Sequence, residues 1–237
     1  MTDDSGRPAS DPSPVDAFPV NPPPVEVELK YLVRDRAGAD DFLAAPSLGP
    51  FSAGPTVHES RCTDTYLDTA DGALARAGLA VRARRTATGA LLTVKATTTE
   101  AGALQRRTEL EGAAGEGLDP RPWPPSAARS LLLELCAGEP LVELATVRQV
   151  RRRRDLVAGG TRVELSLDQV EVLDGDRVVD RFAELELELR EGAEGPLLEL
   201  QAILDRDRRL APAAGSKLDR ALHAAALARA GGPEAGR

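Results

Sequence analysis

The chain has 237 residues, a formal net charge of −8, and 42% hydrophobic but only 3% aromatic side chains. That length suits one large domain or two small ones, and the acidic balance excludes the broad basic face that a nucleic-acid duplex needs. Two cysteines, Cys62 and Cys136, are too few for a disulfide framework or a zinc site and point to reduced thiols in a cytoplasmic protein. No apolar run reaches the ~18 residues of a membrane span, so no membrane association is expected.

Residues 1–24 are rich in Pro, Ser, Asp and Gly, the composition of a disordered tail with no secretory core. A first strand starts near Val25, and Asp40 to Ala45 reads as a short helix stopped by Pro46. Arg61 to Leu67 reads as a strand, followed by a turn at Asp71-Gly72. Further strands fall near 79–85, 90–97 and 104–111, and 112–125 is a loop. A helix runs from Ser126 to Cys136 and ends at Gly138. Strands near 145–157, 161–172 and 178–190 form a meander, with turns at Gly159-Gly160 and Asp174-Gly175. Pro196 to Arg208 and Ser216 to Arg229 are amphipathic helices, and 230–237 is a second tail. Hairpin spacing without a βαβ rhythm gives an α+β class, with one folded domain over 25–229.

The strands share a peculiarity. Glu26, Glu28 and Lys30 alternate with Val27 and Leu29, so the three charges leave on one face. Arg82 and Arg84 alternate with Val81 and Ala83. Lys95 follows Val94, and Arg107, Glu109 and Glu111 share a parity. Arg151 and Arg153 share one, as do Glu164, Ser166 and Asp168, and Glu184, Glu186 and Glu188. A sheet wet on one face explains any single segment. The set is different, because 82/84 and 151/153 are wholly basic and 184/186/188 wholly acidic, where a solvated sheet would mix signs for cross-strand pairing. If the sheet closes and helices cover its apolar outside, the charged faces converge in the middle, where they need ions or a polyanion.

No Gly-rich phosphate loop is present, so phosphate would have to be bound by side chains: Lys30, Arg82, Arg84, Lys95, Arg107, Arg151 and Arg153. Arginine forks grip phosphate oxygens in pairs and lysine acts as a point charge. Two acids of the 184/186/188 set can share a hard divalent cation, and Glu26 and Glu28 can hold a second or orient a water. Ser216 reads as an N-cap. Lys217, in the first turn that follows, opposes the helix dipole unless it is exposed or reaches an anion.

Glu26-Val27-Glu28-Leu29-Lys30 resembles the E-x-E-x-K signature of the CYTH, or triphosphate tunnel metalloenzyme, superfamily. The resemblance continues in order through Asp64-Thr65-Tyr66-Leu67-Asp68-Thr69, Leu79 to Arg84, Thr93-Val94-Lys95, Arg107-Thr108-Glu109, Arg151 to Arg154, Val163 to Asp168, Ala183 to Glu188 and Ser216-Lys217. It spans roughly 25–228 and is nearest to bacterial inorganic triphosphatases. It implies an antiparallel, roughly eight-stranded closed barrel, a tunnel with a charged lumen flanked by helices, holding a triphosphate with Mg²⁺ or Mn²⁺. The implied activity is hydrolysis of tripolyphosphate. Cyclisation of ATP, hydrolysis of thiamine triphosphate or non-catalytic polyphosphate binding on the same tunnel are the alternatives. In this expectation Lys30, Arg82, Arg84, Lys95, Arg107, Arg151, Arg153 and Lys217 bind substrate. Glu184 and Glu186, joined by Glu188, hold one metal, Asp168 and Glu109 orient the basic residues or bind metal through water, and Glu26 and Glu28 serve the second metal and the water, so that Glu26, Glu28 and Lys30 form the catalytic set. Tyr66 and Asp68 are structural. The expected partner is a small polyanion, and the expected state a monomer or homodimer.

Overall fold

Alternating apolar and polar residues build one continuous antiparallel sheet that closes on itself. The computed structural model describes residues 24–97 and 102–230. In chain order the elements are β1 (Val25–Val33), α1 (Asp40–Ala44), β2 (Ser47–Leu48), β3 (Phe51–Ala53), β4 (His58–Thr69), α2 (Ala73–Arg76), β5 (Leu79–Thr86), β6 (Gly89–Ala96), β7 (Leu104–Ala113) and α3 (Ala127–Cys136). Then follow β8 (Leu141–Ala158), β9 (Thr161–Asp174), β10 (Arg177–Glu191), α4 (Gly195–Leu204), β11 (Leu210–Pro212) and α5 (Lys217–Ala230). Eight strands pair in the ring β8–β4–β5–β6–β7–β1–β10–β9, and β9 returns to β8 to close the barrel. The three extra strands lie outside the ring: β2 and β3 extend from β8, and β11 pairs with the end of β1.

The register places each inward parity at a definite height. Glu28 stands opposite Glu188 and Lys30 opposite Glu186 across β1 and β10. The outward parity forms two cores. Val27, Leu29 and Tyr31 of β1 pack with Leu165 and Leu167 of β9, Leu185 and Leu187 of β10, and Leu197, Leu200 and Leu204 of α4. On the far side Val81, Ala83, Leu92 and Val94 pack under Leu131 and Leu132 of α3, with Trp123. Each fully buried leucine contributes about 1.5–3 kcal/mol relative to exposure. The helices are therefore needed to keep the outside of the barrel dry.

Local signals set the ends. Ser126 caps α3, its Oγ accepting from the backbone N of Arg129 at 3.1 Å. Gly159 and Gly160 at φ 52° and 86° make the tight β8–β9 turn, where left-handed backbone matches strand twist. Ser216 and Asp219 form a reciprocal box at the start of α5: Asp219 Oδ2 accepts from Ser216 N at 2.7 Å, and Ser216 Oγ accepts from Asp219 N at 3.2 Å.

Some expectations shift. The helix expected over 196–208 stops at Leu204, where Asp205 to Arg209 turn back to feed β11. The strand expected over Arg61 to Leu67 runs further at both ends, from His58 to Thr69. The short β2, β3, β11 and α2 carry too few residues for periodicity to show. Most of both expected tails, 1–23 and 231–237, lies outside the described residues, while Ala230 is still helical. Among the described residues no helix is long and apolar enough to cross a membrane.

Candidate active site

Inside the barrel lies a cavity of about 1300 Å³. All eight bases expected to bind substrate line it: Lys30, Arg82, Arg84, Lys95, Arg107, Arg151, Arg153 and Lys217. Of the six expected metal ligands, Glu26, Glu28, Glu186 and Glu188 line it, whereas Asp168 and Glu184 do not.

The ring order explains the layout. With eight strands, β4 stands diametrically across from β1. The wall β8–β4–β5 presents Arg151, Arg153, Arg82 and Arg84. The wall β7–β1–β10 presents Glu109, Glu111, Glu26, Glu28, Glu186 and Glu188, interrupted by Arg107 and Lys30. A mainly basic wall thus faces a mainly acidic one. Acids nearly equal bases around the cavity, so the lumen is bipolar and close to neutral.

The basic wall is held from behind. Asp64 is fully buried and grips Arg84 twice, at 2.7 Å to Nε and 2.8 Å to Nη2, with Arg82 at 3.5 Å. Burial works to raise the Asp64 carboxyl, but the arginines outweigh it and hold it below its usual range. Arg82 also donates to Thr93 Oγ1 at 3.2 Å, and Gln149 Nε2 reaches Asp64 at 3.4 Å. Arg82 and Arg107 each keep a buried Nε without an acceptor among the described residues.

Asp168 plays the same part for the other half of that wall. It accepts from Arg151 at 2.7 and 2.6 Å and from Lys217 Nζ at 2.8 Å. Lys217 is buried, not exposed, and meets three acids: Asp168, Glu186 at 2.6 Å and Glu184 at 3.0 Å. Glu184 also lies 3.2 Å from Lys30, close enough for charge although its Oε2 is not aligned for a hydrogen bond. Burial works against both lysine charges, yet the surrounding carboxylates keep Lys217 well above its ordinary value and Lys30 above it. Glu186, touched also by Arg151 at 2.6 Å, is held well below the carboxylate range by Lys217, Lys30 and Arg151 against the effect of burial.

The acidic wall is less well compensated. Glu26 pairs with Lys95 at 2.7 Å, Lys95 with Glu109 at 3.0 Å, and Glu28 with Arg107. Burial and the neighbouring Glu26 and Glu186 nonetheless raise Glu28. Burial and Glu26 push Glu188 up to about 8, despite its contact with Arg190. Among the described residues no three acidic, His or Cys side chains are already gathered as a metal cage. The excess of like charge around Glu26, Glu28 and Glu188 is still the environment a divalent cation relieves.

Two features escape a reading by strand face alone. Parity places a side chain inside but not at a height. Ala145, Val147, Val170, Val172 and Phe182 share the parity of Arg151, Asp168 and Glu184, yet with Tyr66 and Ala221 of α5 they form an apolar cluster inside one end of the barrel. Arg190 continues the 184/186/188 parity, lines the lumen and holds Glu164 at 2.9 Å, which counting two residues further would have found. Asp68 is structural as expected: its carboxylate accepts from the backbone N of Leu74 and Ala75 and anchors α2.

Solved structures of the same shape include a candidate adenylyl cyclase from Hippeastrum with a dominant triphosphatase activity. It is 16% identical, with a TM-score of 0.53 over 89% of this chain and 98% of that one. A candidate adenylate cyclase from Bacillus halodurans is 20% identical, with a TM-score of 0.53 over 82% and 96%. At such identities they establish the barrel fold alone. No curated protein matches the chain significantly. The CYTH domain model matches residues 25–222, and with the closed barrel and its charged lumen in view, the chain belongs to the CYTH domain family.

Proposed function

We propose that the protein hydrolyses a triphosphate, inorganic tripolyphosphate foremost, to diphosphate and phosphate with the help of Mg²⁺ or Mn²⁺. The observation that carries this reading is the bipolar lumen. A wall of arginine forks suits phosphate oxygens, and a facing wall of crowded carboxylates suits a hard cation. A bare polyanion would be opposed by those acids, whereas an anion accompanied by cations fits a near-neutral cavity.

In this reading Arg82, Arg84, Arg151 and Arg153 bind the phosphates, with Lys30, Lys95, Arg107 and Lys217 completing the enclosure. Glu26, Glu28 and Glu188 would hold the metal, and Glu186 borders both sets. Asp168 and Glu184, already engaged by Lys217, Arg151 and Lys30, position the bases instead of binding metal. The cation, when bound, supplies neutralisation of charge on the phosphate oxygens. Glu28 orients the attacking water and takes its proton. A bond forms from the water oxygen to the terminal phosphorus, and the bridging P–O bond breaks. Diphosphate leaves with the electron pair, its charge met by the arginines, whose fixed placement lowers the barrel's reorganisation during the reaction. Cys62 and Cys136 are free thiols, in keeping with a cytoplasmic protein, which we read as a monomer or homodimer.

The test is phosphate release from tripolyphosphate, ATP and thiamine triphosphate, each with Mg²⁺, with Mn²⁺ and with chelator. Fastest release from tripolyphosphate, lost on chelation, is expected. Cyclic AMP from ATP, or tight binding without turnover, overturns the reading. Glu28→Gln and Lys95→Ala should each lower kcat about a hundredfold or more while circular dichroism stays unchanged.

A further inference from the structure

The outside of the basic wall carries a feature that the lumen does not use. Register sets Arg85, Thr63, Arg148, Glu171 and Arg181 side by side on β5, β4, β8, β9 and β10. Alternation points them away from the lumen. They line a groove of about 810 Å³, joined by Arg36 and Arg61. Five guanidinium groups line the groove with one acid, Glu171, which lies 2.8 Å from Arg148 and 3.0 Å from Arg181, while Arg61 reaches Glu59 at 3.4 Å and Arg85 donates to Gly115 O at 3.3 Å. On a chain with net charge −8 this is a marked segregation, and between Arg85 and Arg148 the register sets the neutral Thr63, not an acid. The groove adjoins the lumen, because Arg61, Cys62 and Thr86 line both. Its aromatic ring, Phe182, is buried and covered by Arg220 at 4.2 Å, so the groove offers no platform on which a base could stack.

We propose that this groove binds the body of an inorganic polyphosphate chain whose end enters the lumen over the Arg61–Thr86 lip. Only the seating of the chain end rests on the triphosphatase reading; binding along the groove does not. Arginine forks meet phosphate oxygens without regard to what else the chain carries, and a chain of phosphates alone matches a groove that has forks and no stacking surface.

The experiment compares binding of long-chain inorganic polyphosphate, tripolyphosphate and a single-stranded DNA oligomer to the full chain and to the variant R36S/R148S/R181S. All three positions are solvent-exposed, and none lines the lumen. The long chain should bind the wild type at least about tenfold more tightly than tripolyphosphate, the scale that three exposed charge pairs supply together. The variant should lose that advantage while tripolyphosphate turnover is unchanged. Equal affinity for long and short phosphate in the wild type, or an advantage that survives in the variant, overturns the groove even if turnover is fast. DNA binding as tightly as polyphosphate, lost in the same variant, overturns the assignment to an inorganic chain. A wild type that binds long polyphosphate through these arginines yet never releases phosphate keeps the groove and removes the triphosphatase reading.

Discussion

Asp64 shows how one buried acid sets the geometry of a binding wall. Its two oxygens fix the Arg84 fork and steady Arg82, while the far sides of both guanidiniums face the cavity. Asp64→Asn preserves volume but leaves Arg84 without its counter-charge, a change expected to cost about 3–5 kcal/mol at neutral pH. The folded-state carboxyl titrates below its unfolded value. Its stabilisation is therefore complete above the unfolded pKa, about 3.9, and is lost as pH falls through the lower folded value. Urea melts should show a large gap between wild type and Asp64→Asn at pH 7 that narrows in strong acid. Lys217→Met makes the opposite test. It leaves Asp168, Glu184 and Glu186 with Arg151 and Lys30 alone, and should cost stability of similar size, about 3–5 kcal/mol, read as a lower urea midpoint. Addition of Mg²⁺ should return part of that loss only if the stranded acids can take a cation.

At the level of elements, β7 and the N-cap of α3 approach closely at Gly112. A Cβ on Gly112 would sit 2.2 Å from Ser126 Oγ and 2.5 Å from its Cβ. Gly112→Ala therefore either displaces the N-cap or strains β7, and a loss of about 1–3 kcal/mol is expected from thermal denaturation. Ser126→Ala removes the cap without the clash and should cost about 1 kcal/mol. The double variant should lose less than the sum, because Gly112→Ala already displaces the cap that Ser126→Ala removes, and the Oγ half of the clash is gone although the Cβ contact stays. The strands and longer helices were legible because their apolar residues recur at two or at three and four. The pieces that escaped, β2, β3, β11 and α2, are two to four residues long, and no period can be counted in them. α4 was read four residues too long because Asp205 to Arg208 continue its polarity while the backbone has already turned.

For the molecule as a whole, closure turns strand faces into chemistry. The alternation at Glu26, Glu28 and Lys30 told which side chains share a face, and the segregated signs at 82/84, 151/153 and 184/186/188 told that the face was not bulk solvent. It could not tell which acid each base would claim, because that depends on heights set by strand register. Asp168 and Glu184 sit level with Lys217 and are taken by it, while Glu28 and Glu188 sit level with each other and stay raised by burial and by neighbouring acids despite Arg107 and Arg190. The near-neutral cavity leads to a further expectation. Tripolyphosphate and Mg²⁺ together at about a hundred times their dissociation constant should stabilise the fold by about 2.7 kcal/mol in a thermal melt, and either alone by clearly less.

The first strand of the barrel is locked between β7 and β10, with Glu28 pairing to Glu188 near the end of the sheet. During synthesis it must wait for most of the chain to leave the ribosome before its second neighbour exists. Such long-range pairing slows folding into the millisecond-to-second range, and the waiting surface is prone to sticking. The ionic stripe destined for the interior is the part of β1 that water tolerates in the meantime, so the same alternation that equips the finished lumen also keeps one side of the unfinished sheet hydrated.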